Sequence, residues 1–184
     1  MNKQLTELIN QFEGAKREMN DIVSGISAEK FNERPAGGGW SIGECIDHLN
    51  VTDADYTAQI EKGINEAKEK KLFTEGNYKT SWFAGKFIKN VEPPVKRRLK
   101  APVKWTPHSE LSIDKVTKNF IDLKGRYIEL LKKSDGVNIG KIRIPSPATN
   151  LIKFPVFVLF KINAAHQRRH LWQAKNVKNN LTIS

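Results

Sequence analysis

The chain has 184 residues, 31 Lys or Arg against 20 Asp or Glu, and a formal net charge of +11. Its 39% hydrophobic and 28% charged content is that of a soluble globular protein, long enough for one hydrophobic core. No apolar run approaches the roughly 20 residues of a membrane helix, the opening segment lacks the apolar stretch of a signal peptide, and the one cysteine, Cys45, excludes an intrachain disulfide.

These features predict a cytoplasmic location and no membrane partner. The positive balance invites an acidic partner, but the lysines are spread along the chain. The densest cluster is Lys96-Arg97-Arg98-Leu99-Lys100, with Lys104 close behind. No recognised nucleic-acid motif accompanies it, so nucleic acid is not the expected partner.

The first predicted helix covers about Asn2–Val23. Leu5, Leu8, Ile9, Phe12, Ala15, Met19, Ile22 and Val23 make one apolar stripe at helical spacing. Ser24-Gly25 ends it, and Ala28–Phe31 reads as a short helical turn. A loop follows at Arg34–Gly39. Its glycines lack a G-x-G-x-x-G pattern, a Walker lysine or a preceding strand, so phosphate binding is not expected there.

The second long helix starts sharply, with Ser41 as N-cap and Glu44 completing a capping box. Trp40 is placed to pack on Cys45 as a hydrophobic staple. The stripe runs Ile42, Cys45, Ile46, Leu49, Tyr56, Ile60, Ile64 and Ala67, and the helix ends near Lys70. His48 lies at the edge of this stripe and faces inward, with Glu44 one turn earlier as a candidate orienting group.

Leu72–Glu110 is irregular, apart from a short helix over Thr80–Val91 that Glu92-Pro93-Pro94 stops. His108, after Pro107, reads as a loop residue rather than a ligand. The third long helix covers about Ile113–Lys133, capped by Ser112, with Leu111 and Val116 as a staple. A second irregular connection follows, in which Ile142-Arg143-Ile144 alternates like a short strand.

The fourth long helix covers about Pro155–Lys178. Val156–Phe160 fits a buried strand equally well by pattern. Helix is chosen because four helices close a core and a lone strand leaves backbone unpaired. The prediction is an all-α four-helix bundle with long irregular crossover connections, forming a single domain over residues 1–184.

His166-Gln167-Arg168-Arg169-His170 falls in this last helix. Histidines four apart project from one face, a spacing that lets two imidazoles reach one metal ion. The same spacing also describes two solvated histidines on a basic helix face. A catalytic zinc site usually has three protein ligands and an open position. With His108 in a loop, His48 on the second helix is the remaining imidazole, and bundles build such sites from facing helices. Nitrogen ligands suit zinc, nickel, iron or copper and do not choose among them. Cys45, one turn from His48, reads as a small buried apolar residue rather than a fourth ligand.

The segment Gly39-Trp40-Ser41-Ile42-Gly43-Glu44-Cys45-Ile46-Asp47-His48-Leu49 resembles the second-helix motif of the DinB-like (DinB/YfiT-type) superfamily. His166-Gln167-Arg168-Arg169-His170-Leu171-Trp172-Gln173 resembles its fourth-helix motif. The resemblance implies a four-helix bundle with a divalent metal, zinc or nickel foremost, on His48, His166 and His170, and it suggests a homodimer. The basic crossover and the double proline are not part of that motif.

Similar proteins include S-transferases for low-molecular-weight thiols and metal-dependent hydrolases. The resemblance therefore implies a divalent-metal-dependent enzyme acting on a small-molecule substrate. A thiol-dependent S-transferase, with the metal activating the thiol, is preferred over a hydrolase using metal-bound water. A non-enzymatic basic nucleic-acid-binding module is the third reading. No residue stands out as a general base: Glu44 and Asp47 are near in sequence, but their plain roles are helix cap and solvated surface.

Overall fold

A computed structural model describes residues 1–94, 101–146 and 149–183. Six α-helices run in the order α1 Lys3–Val23, α2 Ala28–Asn32, α3 Ile42–Glu69, α4 Trp82–Val91, α5 Ile113–Lys133 and α6 Val156–Ile183. A 3-10 turn at Val103–Trp105 precedes α5, and strands β1 Arg143–Ser146 and β2 Thr149–Pro155 precede α6. The four long helices are those expected from periodicity. α3 packs on α5 and α6, and α1 packs on the same two, so α1 and α3 lie across a diagonal of the bundle.

The helix starts follow local chemistry. Asn2, Ser27, Ser41, Ser81 and Ser112 each accept a hydrogen bond from a first-turn backbone N–H, satisfying donors that have no intrahelical partner. At α3 the capping box is complete: Glu44 N–H donates to Ser41 Oγ and Ser41 N–H donates to Glu44 Oε2.

The segment before α6 differs from the sequence expectation. β1 and β2 form an antiparallel hairpin, with Ile144 opposite Phe154. The helix chosen for Val156–Phe160 is present, and the alternation of Ile142-Arg143-Ile144 announces β1; the unexpected strand is its partner β2, Thr149–Pro155. The helix begins at Val156 and the strand takes Phe154. Phe154 and Ile152 alternate inward while Leu151 and Lys153 face out, the period of two that a half-buried strand requires.

α3 and the hairpin approach each other closely at Gly63. A Cβ built there would lie 2.5 Å from Val156 Cγ2, with Ile144 and Ile142 methyls behind it. Alanine normally favours a helix over glycine by about 1 kcal/mol, but overpacking costs about 1–3 kcal/mol. The clash is with a short branched side chain at the start of α6, which has little room to yield. Gly63→Ala is therefore expected to destabilise the fold by about 1–2 kcal/mol, read as a lower urea midpoint with an unchanged slope.

The apolar interior is divided. One cluster contains Leu5, Leu8, Phe12, Tyr56, Ile60, Tyr127, Phe157 and Phe160; the other contains Met19, Phe31, Ile42, Leu49, Phe120 and Leu171. On α3 the change from one to the other falls between Leu49 and Tyr56. On α5 it falls between Phe120 and Tyr127, and on α6 between Ala164 and Leu171. The side chains in those gaps are polar: Asp53, Lys124 and Gln167, all buried, with His48 and His166 beside them. A polar layer thus crosses the bundle between two apolar ones.

Candidate metal centre

α3 brings His48 inward because its first turns are enclosed on all sides; every residue from Ile42 to Asn50 is buried. The approach is set by the preceding loop. Gly39 has φ +119, a conformation that disfavours side chains. It turns the chain so that Trp40 lies over the histidines. The indole centroid is 4.6 Å from the ring of His48 and 5.6 Å from that of His170.

His48 Nδ1 donates to the carbonyl oxygen of Trp105 at 2.7 Å. A carbonyl can only accept, so the hydrogen sits on Nδ1 and the Nε2 lone pair points away from the loop. Trp105 is held in turn by its indole N–H, which donates to Asp55 Oδ2 at 2.8 Å, and Lys104 pairs with the same oxygen at 3.0 Å. α3 therefore carries both the imidazole and the carboxylate that anchors the crossover above it. Glu44, expected to orient His48, does not: it is bound by Arg34 and by the Ser41 backbone.

His166 and His170 come from successive turns of α6, their ring centroids 4.6 Å apart. His170 Nδ1 donates to Gln173 Oε1 at 3.2 Å, which leaves its Nε2 for other partners. His48 Nε2 lies 3.3 Å from His166 Nε2. The candidate ligand atoms of all three histidines lie within 4.8 Å of one another, so the group could hold a metal ion.

The donor set fits such an ion. Two nitrogens bound tetrahedrally to zinc at about 2.0–2.1 Å stand about 3.3 Å apart, the separation of the two Nε2 atoms. Fixing a ligating imidazole through its other ring nitrogen is the usual support for a metal site, and both His48 and His170 have it.

Burial lowers the pKa of all three imidazoles. For His166 and His170 the shift is well below the ordinary value, with the neighbouring histidines and the Arg169 guanidinium adding to it. The rings are therefore neutral at physiological pH, the form in which imidazole binds metals.

Cys45 is fully buried and burial drives its thiol far above the ordinary range, which bears out an inert apolar role. His108 is exposed and lies outside the cluster. Its backbone N–H and Nδ1 both reach Asp47 Oδ2 at 2.8 Å. Asp47 is correspondingly buried, not the solvated surface residue expected. The basic run at residues 96–100 lies outside the described residues.

One element of the site had no counterpart in the sequence reading. Asp53 and Lys124, both fully buried, form an ion pair below the histidines. Asp53 also accepts from Gln167 Nε2 at 3.1 and 3.2 Å and from Tyr127 Oη at 3.3 Å. Lys124 Nζ rests 4.1 Å from the centroid of the Phe120 ring. The network ties α3, α5 and α6 together, and Gln167 is the residue next to His166. Its sequence signal was present: Lys124 is four residues after Phe120 and three before Tyr127, on the buried stripe.

Facing helices that converge three imidazoles into a bundle core define a class of helical proteins with a built-in histidine cluster able to hold a metal. This chain belongs to the DinB superfamily, whose sequence profile matches residues 11–174, a span that includes all three histidines. It is also similar to "Uncharacterized protein YuaE" of Bacillus subtilis (strain 168), 23% identical over 171 residues, covering 91% of this chain and 94% of that one. No solved structure matches the chain.

Proposed function

We propose that this single-domain chain is a divalent-metal-dependent enzyme that transfers a group to a low-molecular-weight thiol, with His48, His166 and His170 as the metal ligands. When bound, a divalent ion such as zinc or nickel would lower the pKa of a thiol it holds, so that thiolate is available at neutral pH. The Trp105 carbonyl and Gln173 hold two of the rings in the tautomer that presents Nε2. Trp40 covers His48 and His170 with an apolar wall that excludes water from that side. Arg169, whose charge acts on all three imidazoles, favours an anionic thiol or substrate.

The observation that favours thiol over water as nucleophile is the state of the nearby carboxylates. Glu44 is engaged by Arg34 and Ser41, Asp47 by His108, and Asp53 by Lys124, Gln167 and Tyr127. Hydrolysis calls for a group that takes a proton from attacking water, and these three already have partners. A thiol that arrives as thiolate needs no such base. The chain is expected to work in the cytoplasm, where such thiols are reduced, and as a homodimer.

The test is turnover of an activated ester by metal-loaded protein with and without a small thiol. Transfer predicts a thioester product and a rate at least about tenfold higher with thiol, since thiolate is the stronger nucleophile. Equal ester loss without thiol, yielding only acid, would establish the hydrolase instead.

A further inference from the structure

The chain's charge is unevenly placed. None of its 20 acidic residues lies beyond Asp135, whereas eight of its 31 basic residues do. That basic portion forms the hairpin and α6, and α4 packs against α6. Phe83 and Phe87 of α4 lie against Phe154 of the hairpin, with centroids 6.5 and 5.4 Å apart. From Gly76 to Val91 the sequence has no acid at all and three lysines, Lys79, Lys86 and Lys89. Glu92, the next acid, is neutralised by Arg168. Among the described residues, none of the three lysines has a carboxylate partner, and all three are exposed.

On this basic ground stand two exposed aromatic side chains. Trp82 is 78% and Phe83 54% exposed at the first turn of α4, and the inner side of that helix buries Ala84 and half-buries Phe87 and Ile88. The indole is not free on both faces, because Lys86 Nζ sits 5.1 Å from its centroid. We propose that this face of α4 docks the protein on the surface of an anionic phospholipid bilayer, with Trp82 and Phe83 entering the headgroup region and Lys79, Lys86 and Lys89 meeting lipid phosphates.

The chemistry favours that occupant. Trp is suited to the membrane–water interface, where an apolar body meets a polar edge. Lysine stems can lie along apolar surface while the ammonium stays with the headgroups. Single-stranded nucleic acid needs open aromatic faces for stacking, and the ammonium over Trp82 covers one. A second copy of the chain would bring a patch of the same sign. No described helix is long and apolar enough to cross a membrane, and surface docking requires none. The sequence expectation of no membrane partner rested on spanning length and on lysines spread along the chain; the folded α4 face gathers three of them beside two exposed aromatics. This inference does not depend on the chemistry of the histidine cluster.

The experiment is co-sedimentation of the full chain with vesicles of phosphatidylcholine, and of phosphatidylcholine mixed equally with phosphatidylglycerol, at low and physiological salt. Binding is expected to the mixed vesicles, at least about tenfold stronger than to phosphatidylcholine alone and falling with salt. Trp82→Ala/Phe83→Ala and, separately, Lys86→Glu/Lys89→Glu should each weaken it about tenfold. Lys86→Glu/Lys89→Glu changes only exposed side chains, so its thermal melting should match the parent. Trp82→Ala/Phe83→Ala also loses the Phe83–Phe154 contact and is compared at a temperature where circular dichroism shows it folded. Absence of binding to mixed vesicles, equal binding to both compositions, or undiminished binding by both variants would overturn the proposal. So would tighter binding to an oligothymidylate that displaces the vesicles, or a light-scattering dimer that the Trp82→Ala/Phe83→Ala variant abolishes.

Discussion

Replacing His166 with alanine is expected to lower the affinity for zinc or nickel by more than about 100-fold while leaving the protein folded. Loss of a residue that merely supports a ligand costs about 10–100-fold, and His166 is proposed as a ligand itself. Its Nε2 lies 3.3 Å from that of His48 and its ring centroid 4.6 Å from that of His170. Removing it leaves two imidazoles, too few for a closed site. His108→Ala, by contrast, should leave affinity unchanged, since that side chain is engaged with Asp47 outside the cluster. Competition against a chromophoric chelator measures both. Equal affinities for His166→Ala and the parent would remove the metal assignment.

The same cluster predicts a pH dependence. All three histidines have folded-state pKa values below the ordinary 6.5, for reasons of burial first. The unfolded chain therefore binds more protons than the folded one as pH falls through 6.5, and stability rises with pH in that window. Metal-free protein should lose stability from about pH 6.5 downward. Saturating metal, which binds the neutral rings of the folded state, should raise stability most at the upper end of the window and less as protons compete.

The parts of this molecule that the sequence made legible are those governed by local rules. The capping box at Ser41 and Glu44, the stripe of α1 and the limits of α5 at Ile113 and Lys133 depend on residues within a few positions of one another. The structure reproduces each. The inward direction of His48 was also legible, because Cys45 and Leu49 flank it on the same helix. What connects His48 to the Trp105 carbonyl is a contact 57 residues apart in the chain, and nothing local to Trp105 announces it.

Of the hairpin, β1 was legible in the alternation of Ile142-Arg143-Ile144, and β2 was missed for a related reason. Leu151 and Ile152 stand side by side in Thr149–Pro155 and break a plain alternation, so only the pairing with β1 makes that segment a strand, whereas Val156–Phe160 is the helix its place in a four-helix core implied. The polar layer was half legible. Position 53 interrupts the apolar stripe between Leu49 and Tyr56, and position 124 falls on the stripe of α5. A lysine at such a position usually escapes to solvent along its stem. Here Lys124 remains inside because Asp53 waits on the neighbouring helix, which only the assembled bundle reveals.

That pair gives the second large effect. Lys124→Met should destabilise the protein by about 3–5 kcal/mol, the cost of leaving a buried charge without its partner. Methionine fills most of the lysine stem's volume, so the loss is electrostatic rather than a cavity. Asp53 would keep only Gln167 and Tyr127 as donors, and burial pushes its pKa above the ordinary 3.8. Without the ammonium that opposes this shift, the carboxyl of the variant titrates higher still. The folded variant then binds more protons than the unfolded chain between pH 3.8 and that raised value, so its deficit should shrink as the pH is lowered through this window.

Adding Asp53→Asn removes the orphaned charge while an amide oxygen still accepts from Tyr127 and Gln167. The double variant should recover to within about 1–2 kcal/mol of the parent, as neutral replacements of buried pairs commonly do. Urea denaturation of the two single variants and the double, with a coupling energy from the cycle, provides the measurement. If the double variant is as unstable as Lys124→Met, the cost lies in packing around Phe120 and Tyr127 rather than in charge. The polar layer would then be a consequence of the bundle's geometry and not one of the forces that fix it.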